Sequence, residues 1–349
     1  MQRNNEVEIV TYWHPKRIPQ ENIHDLKQDA LNRVKNFLNY FFFALKVSMR
    51  TDFDVIHAAN VPEAIPAVFV KLIRGKPLVT SVHDTGFIRV NPQWSAIGAL
   101  TRRFLRKFAC KMSDQIIVPT EGIKDQIVEN LLINPSNFTA IHYGVDKKRF
   151  NLNTEGSMRK QLKISESTFV IYFSGMFYPK KGLEYAIEAM KFVRERTENF
   201  VFVIDGVEIF PGYLDKLKSI RDNLGLTEKV LFPGLSEERE RWFADCDVFV
   251  LPSVDTEGLS LTCLEAGSCG KPVVTTTVLE GTEAVIKDKT ALIVQPRNPK
   301  ALADAIMKLM DDEELRKNLG DANYEYAQNF DWEKTAAETE NVYRKAIGV

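Results

Sequence analysis

Glu257-Gly258-Leu259-Ser260-Leu261-Thr262-Cys263-Leu264-Glu265 lies between two apolar runs, Asp247-Val248-Phe249-Val250-Leu251-Pro252-Ser253 and Pro272-Val273-Val274-Thr275-Thr276. Each run has the length and branched-aliphatic content of a strand buried on both faces. Strand, acidic loop, short helix and strand, in that order, make a crossover unit of a parallel sheet. Ligands of such sheets sit at the carboxyl ends of the strands. Glu257 falls in the loop and Glu265 inside the helix. With Ser260 as the helix cap, Glu265 stands about 7 to 8 Å further along, at roughly 1.5 Å per residue. Two carboxylates thus flank a helix N-terminus that can hold an anion. The layout suits a ligand with hydroxyls at both ends and phosphates between them, such as a nucleotide sugar.

Outward from this stretch the same alternation of apolar runs and helical patterns fills the chain, which predicts α/β architecture with parallel sheets. Strands are expected at residues 7–12, 55–58, 78–82, 115–119 and 138–141 in the first half. In the second half they are expected at 169–173, 200–204, 230–232, 248–251, 273–276 and 292–294. A chain of 349 residues exceeds what one core usually serves, so two domains are expected. The polar stretch Phe150-Asn151-Leu152-Asn153-Thr154-Glu155-Gly156 reads as the hinge between them. The division is then 1–152, 153–331 and a final helix over 332–349, with apolar positions at Ala336, Ala337, Val342 and Ala346.

Composition narrows the function classes. Apolar residues make up 44%, enough for packed cores, and no low-complexity stretch argues for disorder. A net charge of −1 and a pI of about 6.6 supply no global basic field for nucleic acid. Cys110, Cys246, Cys263 and Cys269 lack C-x-x-C spacing and sit in apolar or helical segments, the pattern of buried reduced thiols in a cytoplasmic protein. No leader segment is visible, and the run Phe41-Phe42-Phe43-Ala44-Leu45 is far too short to span a bilayer. The aromatic cluster at 37–43 reads most simply as core.

The Glu-x7-Glu motif in this setting resembles the large family of retaining GT-B glycosyltransferases that use nucleotide-diphosphate sugars (glycosyltransferase family 4-like). Other segments carry the resemblance in order. Ile141-His142-Tyr143-Gly144-Val145-Asp146 with Phe150 resembles the family's N-G-V-D segment, and Ser174-Gly175-Met176-Phe177 with Lys181-Gly182 resembles its G-R-L…K-G segment. Gly270-Lys271-Pro272-Val273-Val274, Glu280-Gly281-Thr282-Glu283 and Phe330-Asp331-Trp332-Glu333 follow. The resemblance is close over the C-terminal two-thirds and looser over residues 50–150. It implies two Rossmann-like domains facing a cleft, the first on the acceptor side and the second binding the donor, with the final helix crossing back to the first.

Residue roles follow from the same resemblance. Glu265 would accept hydrogen bonds from ribose hydroxyls and Glu257 would face the donor sugar. The backbone of Gly258, Leu259, Ser260 and Leu261 would turn towards sugar and phosphate, alongside Gly175. Lys181 would meet the diphosphate and stabilise the leaving group. Gly234 and Leu235, in Phe232-Pro233-Gly234-Leu235, would lie against the base. His83, in the pair His83-Asp84 at the end of an expected strand, would lie near the transferred sugar. His57 and Glu121 match looser family positions; Thr120 as a helix cap is an equal reading of the second. No metal and no other cofactor is implied. The donor would be a nucleotide sugar and the acceptor a glycan, a lipid or a small molecule. Thr101-Arg102-Arg103-Phe104-Leu105-Arg106-Lys107-Phe108 resembles helices that touch the inner membrane face in members with lipid acceptors, although a solvated charged face fits the residues better.

Three departures bear on activity. Leu259 and Ser260 stand where the family has phenylalanine and a second glycine. Met176 stands where it has an arginine, and a thioether cannot donate to a phosphate oxygen; Arg89, Arg102 or Arg103 are the candidate substitutes. The first glycine is Gly75, so no Gly-rich phosphate loop precedes it. The chain reads as starting at the family's second strand, with truncation the favoured reading over a member that dispenses with the loop. These departures keep a rival in view, a glycosyltransferase-like binding or partner subunit that has lost catalysis. An epimerase on the same fold fits the motifs less well.

Overall fold

The structure, a computed structural model, describes residues 9–11, 23–25, 33–83, 96–279 and 282–349. It divides into two compact units, residues 1–141 with 335–349, and residues 142–334.

In the first unit, β1 (Ile9–Thr11) pairs in parallel with β2 (Ile23–Asp25). A separate parallel sheet joins β3 (Ile56–Ala58), β4 (Leu78–Ser81), β5 (Gln115–Val118) and β6 (Phe138–Ala140) in that order. β4 and β5 are buried along their whole length, as expected of strands covered on both faces. The helix Val61–Arg74 crosses between β3 and β4, capped by Asn60 and closed by Gly75 in the left-handed region. From the helix Trp332–Ile347, Val342 packs with Val79, Ile117 and Ile141.

The second unit holds a six-stranded parallel sheet of β7 (Phe169–Phe177), β8 (Phe200–Glu208), β9 (Val230–Gly234), β10 (Val248–Leu251), β11 (Val273–Thr276) and β12 (Ala291–Val294). Their spatial order is β12-β11-β10-β7-β8-β9. Numbered from β7, this is the 3-2-1-4-5-6 order of a dinucleotide-binding fold, with its switch point between β7 and β10. The core is one continuous cluster, centred on Tyr172, Phe243 and Phe249 with ring centroids 5.0 and 5.1 Å apart. All four cysteines are buried and free, and burial pushes each thiol up to about 12.

Four features differ from the sequence reading. β2 was not anticipated, because Ile23-His24-Asp25 shows no apolar run. β7 and β8 run on for nine residues each, past the ends of their apolar stretches, held by the parallel register Ser174↔Asp205 through Phe177↔Glu208. The aromatic cluster is only partly core: Tyr40 is buried and Phe41 meets Phe69, but Phe42 points outward at 64% exposure. Neighbours on a helix cannot all share one face at 3.6 residues per turn. The units also part between Ile141 and His142, ahead of the 150–156 stretch, because Val145 bridges to Asp331 and Phe150 sinks into the second core.

Candidate functional site

The carboxyl ends of β7 and β10 flank the switch point, and the candidate residues of the second unit gather there. β7 leads into a 3-10 turn, Pro179–Lys181, that docks on the segment after β10. The Val254 amide donates to the Lys180 carbonyl at 2.8 Å, and the Lys180 ammonium reaches the Thr256 carbonyl at 3.3 Å. Gly182 closes the turn at φ +67°, where a Cβ would stand 2.2 Å from the Pro252 carbonyl oxygen. Only glycine tolerates both the dihedral and the approach. The turn thereby aims Lys181 at Glu257: its Nζ lies 2.8 and 3.0 Å from the two carboxylate oxygens. Ser253 donates to Oε1 of the same acid at 2.6 Å. The Glu257 side chain is only 7% exposed and that of Lys181 15%, so this is a buried ion pair with a third group attached. Breaking such a pair leaves an uncompensated buried charge.

Ser260 caps the helix Leu261–Ser268 as its position predicts, accepting from the Cys263 amide at 3.4 Å. Leu259 turns its side chain into the core, which leaves the backbone of this stretch as the part available to a ligand. Glu265 lies on the same helix with its side chain 12% exposed. Arg239 donates to its Oε1 at 3.3 Å, whereas its Oε2 is buried with no hydrogen-bond partner among the described residues. Burial raises the Glu265 carboxyl to about 7, against the opposing pull of Arg239 and Arg149. When ionised, that oxygen can only accept hydrogen bonds.

A third buried acid shapes the β8–β9 side of the site. Asp205 on β8 has no solvent exposure. Its Oδ2 accepts from the Tyr172 hydroxyl at 2.7 Å and the Ser174 hydroxyl at 2.8 Å, and its Oδ1 from the Ser236 amide at 2.7 Å. The neighbouring Gly206 lies flush against β7, where a Cβ would fall 1.7 Å from the Gly175 carbonyl oxygen. Gly234, at φ +94° with open space around it, and Leu235, 56% exposed, form the turn that ends β9. Met176 is half exposed and registers with Val207, so this rim of the sheet is apolar where the family resemblance expects an arginine.

The first unit holds His83, exposed just past β4, with its Nε2 donating to the Ala59 carbonyl at 2.7 Å. Asp84 and Arg89 lie outside the described residues, as does the Arg102 side chain; Arg103 donates to the Asn130 carbonyl. His57 is engaged at both ring nitrogens, by Tyr343 at 2.5 Å and Ser81 at 2.8 Å. Although one edge of the ring reaches solvent, desolvation and then His83 lower its pKa to about 4. It is a neutral strut between β4 and the C-terminal helix. Thr120 caps its helix through the Ile123 amide, and Glu121 pairs with Lys124. Among the described residues no three His, Cys, Asp or Glu side chains form a metal-holding group, and no helix is long and apolar enough to cross a membrane.

Arg239 and Arg149 escaped the sequence reading. Arg239 stands in Glu237-Glu238-Arg239-Glu240-Arg241, a charged run that looks like any solvated helix start, and only the fold brings it to Glu265.

Residues 155–326 match the family model described as Glycosyl transferases group 1, and residues 1–149 match Glycosyltransferase Family 4. The D-inositol 3-phosphate glycosyltransferase of Paenarthrobacter aurescens (strain TC1) is 26% identical over 301 residues, covering 84% of this chain and 73% of its own length. Among solved structures, Anabaena HepE in complex with UDP shares the fold with a TM-score of 0.78 at 18% identity, covering 93% of this chain and 86% of its own. WaaG, a glycosyltransferase involved in lipopolysaccharide biosynthesis, does so with a TM-score of 0.78 at 17% identity, over 99% and 92%. HepE is also solved with UDP-glucose.

Proposed function

The chain belongs to the group 1 glycosyl transferases, GT-B in fold, and from this premise we propose that it transfers a glycosyl unit from a nucleotide-diphosphate sugar with retention of configuration and without a metal ion. The observation that carries the reading is the contrast within one helical motif. Glu257 is locked to Lys181, while Glu265 keeps a buried oxygen bare. Such an oxygen fits ribose hydroxyls, each a donor that an ionised carboxylate accepts in a charge-assisted bond. The donor diphosphate would then lie across the capped helix N-terminus and the backbone of Gly258 to Leu261, with Gly234 and Leu235 on the base side and Gly175 beside the phosphates.

In this reading Lys181 has two tasks. It holds Glu257 in place, and its remaining ammonium proton faces the leaving phosphate, where a cation offsets the growing negative charge. Glu257 faces the donor sugar. The C1–O bond to phosphate breaks, a bond from C1 to the acceptor oxygen forms on the same face, and the acceptor proton passes to the departing phosphate oxygen. The acceptor class stays open among glycans, lipids and small molecules.

The test is a thermal-shift panel with UDP, GDP and ADP, followed by a sugar-nucleotide hydrolysis assay, on the wild type and Glu265→Ala. One nucleotide should stabilise the wild type, and the variant should lose most of that shift. A panel without any shift, or a variant that keeps it, sinks the reading. Stabilisation without turnover instead favours the binding-subunit alternative, which the exposed thioether of Met176 supports.

A further inference from the structure

Glu265 is surrounded by few charges. On the helix Arg239–Asp245, Arg239 donates to it and Glu240 opposes it. Arg149 lies close enough to act on it, but its guanidinium is committed to Glu240 at 2.5 Å. β10 and β11, packed against the other side, carry no titratable residue over Val248–Leu251 and Val273–Thr276. The helix Glu313–Ala327 presents the neutral Asn323 to Gly267. Cys263 and Cys269, on and beside the acid's own helix, are buried thiols that stay protonated. Among the described residues, one hydrogen-bonded cation therefore favours the ionised form of this acid.

We propose that Arg239 is a positioning residue for donor binding: by clamping Oε1 of Glu265 it holds the side chain ionised, with Oε2 turned to the ribose hydroxyls. The inference rests on the reading of Glu265 given above and adds a residue to it. The two oxygens divide the labour, one fixed by a guanidinium and one left to the ligand. The buried position supplies the specificity, since a dry carboxylate with an unmet oxygen gains more from a hydroxyl than a solvated one does. Without Arg239 the nearest counter-charge would be Arg149, already shared with Glu240, and the acid, about half ionised at neutral pH with Arg239 present, would be mostly protonated there. A protonated carboxyl accepts weakly and aims its own proton at the ligand.

The experiment measures binding of UDP-glucose, GDP-mannose and ADP-glucose in parallel by calorimetry or fluorescence, between about pH 6 and pH 8.5, a window in which their diphosphates do not titrate. Wild type, Glu265→Ala, Arg239→Met and Arg239→Lys are compared. At pH 7 we expect Arg239→Met to bind the preferred sugar nucleotide about fivefold more weakly, with the loss shrinking to less than about twofold by pH 8.5, because its binding midpoint moves up by about one pH unit. Arg239→Lys keeps the charge and should restore the wild-type pH profile. A loss of equal size at every pH, or no loss, overturns the positioning role even if Glu265→Ala abolishes binding. Wild-type affinity in Glu265→Ala, or no binding of any of the three to the wild type, overturns the underlying reading and this inference with it.

Discussion

Glu257 and Glu265 belong to one motif and share one helix tip, yet they live under opposite conditions. Glu257 is partnered at both oxygens: a lysine bonds each of them and a serine hydroxyl adds a third bond. Glu265 has one guanidinium at 3.3 Å, one bare oxygen and a carboxyl raised to about 7. The first acid has both oxygens met by side chains, whereas the second keeps one that no described group meets. Burial by itself does not assign a role to a carboxylate; the count of partners does.

Lys181→Ala should break the contrast most severely. It strips the counter-charge from a buried acid, at a cost on the order of 3 to 5 kcal/mol in stability. Turnover should fall by about two to three orders of magnitude, since the leaving phosphate loses its cation. Near-normal hydrolysis by a folded variant would remove Lys181 and Glu257 from the proposed chemistry.

A smaller effect separates the acids by pH. The folded value of Glu265 lies above that of an exposed glutamate, so the group favours the fold most at low pH and loses that contribution as pH rises through about 7. Glu265→Gln abolishes the titration. The unliganded variant should therefore match the wild type near pH 4 and exceed it at pH 8, by up to about 3 kcal/mol. A stability difference flat across that range would mean that burial does not raise Glu265.

The smallest change sharpens the picture at the phosphate side. Met176 is half exposed at the end of β7, a few residues ahead of Lys181. Met176→Arg should tighten nucleotide binding by about 0.5 to 1 kcal/mol, a gain of a few-fold, as expected for one added cation in a solvated position. No gain in titrations at low salt would show that Lys181 and the helix tip already meet the need.

Much of this was legible beforehand, and the reasons differ by residue. Strand positions such as 248–251 and 273–276 were readable because a strand buried on both faces must be apolar throughout. Ser260 as a cap was readable because its hydroxyl is the local answer to an orphan amide. The extensions of β7 and β8 were hidden, since Ser174, Gly175 and Gly206 break the apolar pattern and their pairing is settled only between strands. Arg239 was hidden for a deeper reason. Its partner is 26 residues further along the chain, and nothing in a run of charged residues says which one the fold will select. His57 shows the converse: it matched a motif, but Tyr343 from the far end of the chain claims its ring.

Asp205 bears on what a ligand meets on arrival. Through its two oxygens it ties Ser174, beside Gly175, to the amide of Ser236, next to Leu235. Two walls of the second unit are thus set like the jaws of a calliper, and their gap is fixed while the protein folds. In the proposed reading, ordering that a looser loop would demand at the moment of capture would already have been done, so affinity would not be diluted by it. Selection among bases would then fall, in the same reading, to an aperture of constant width.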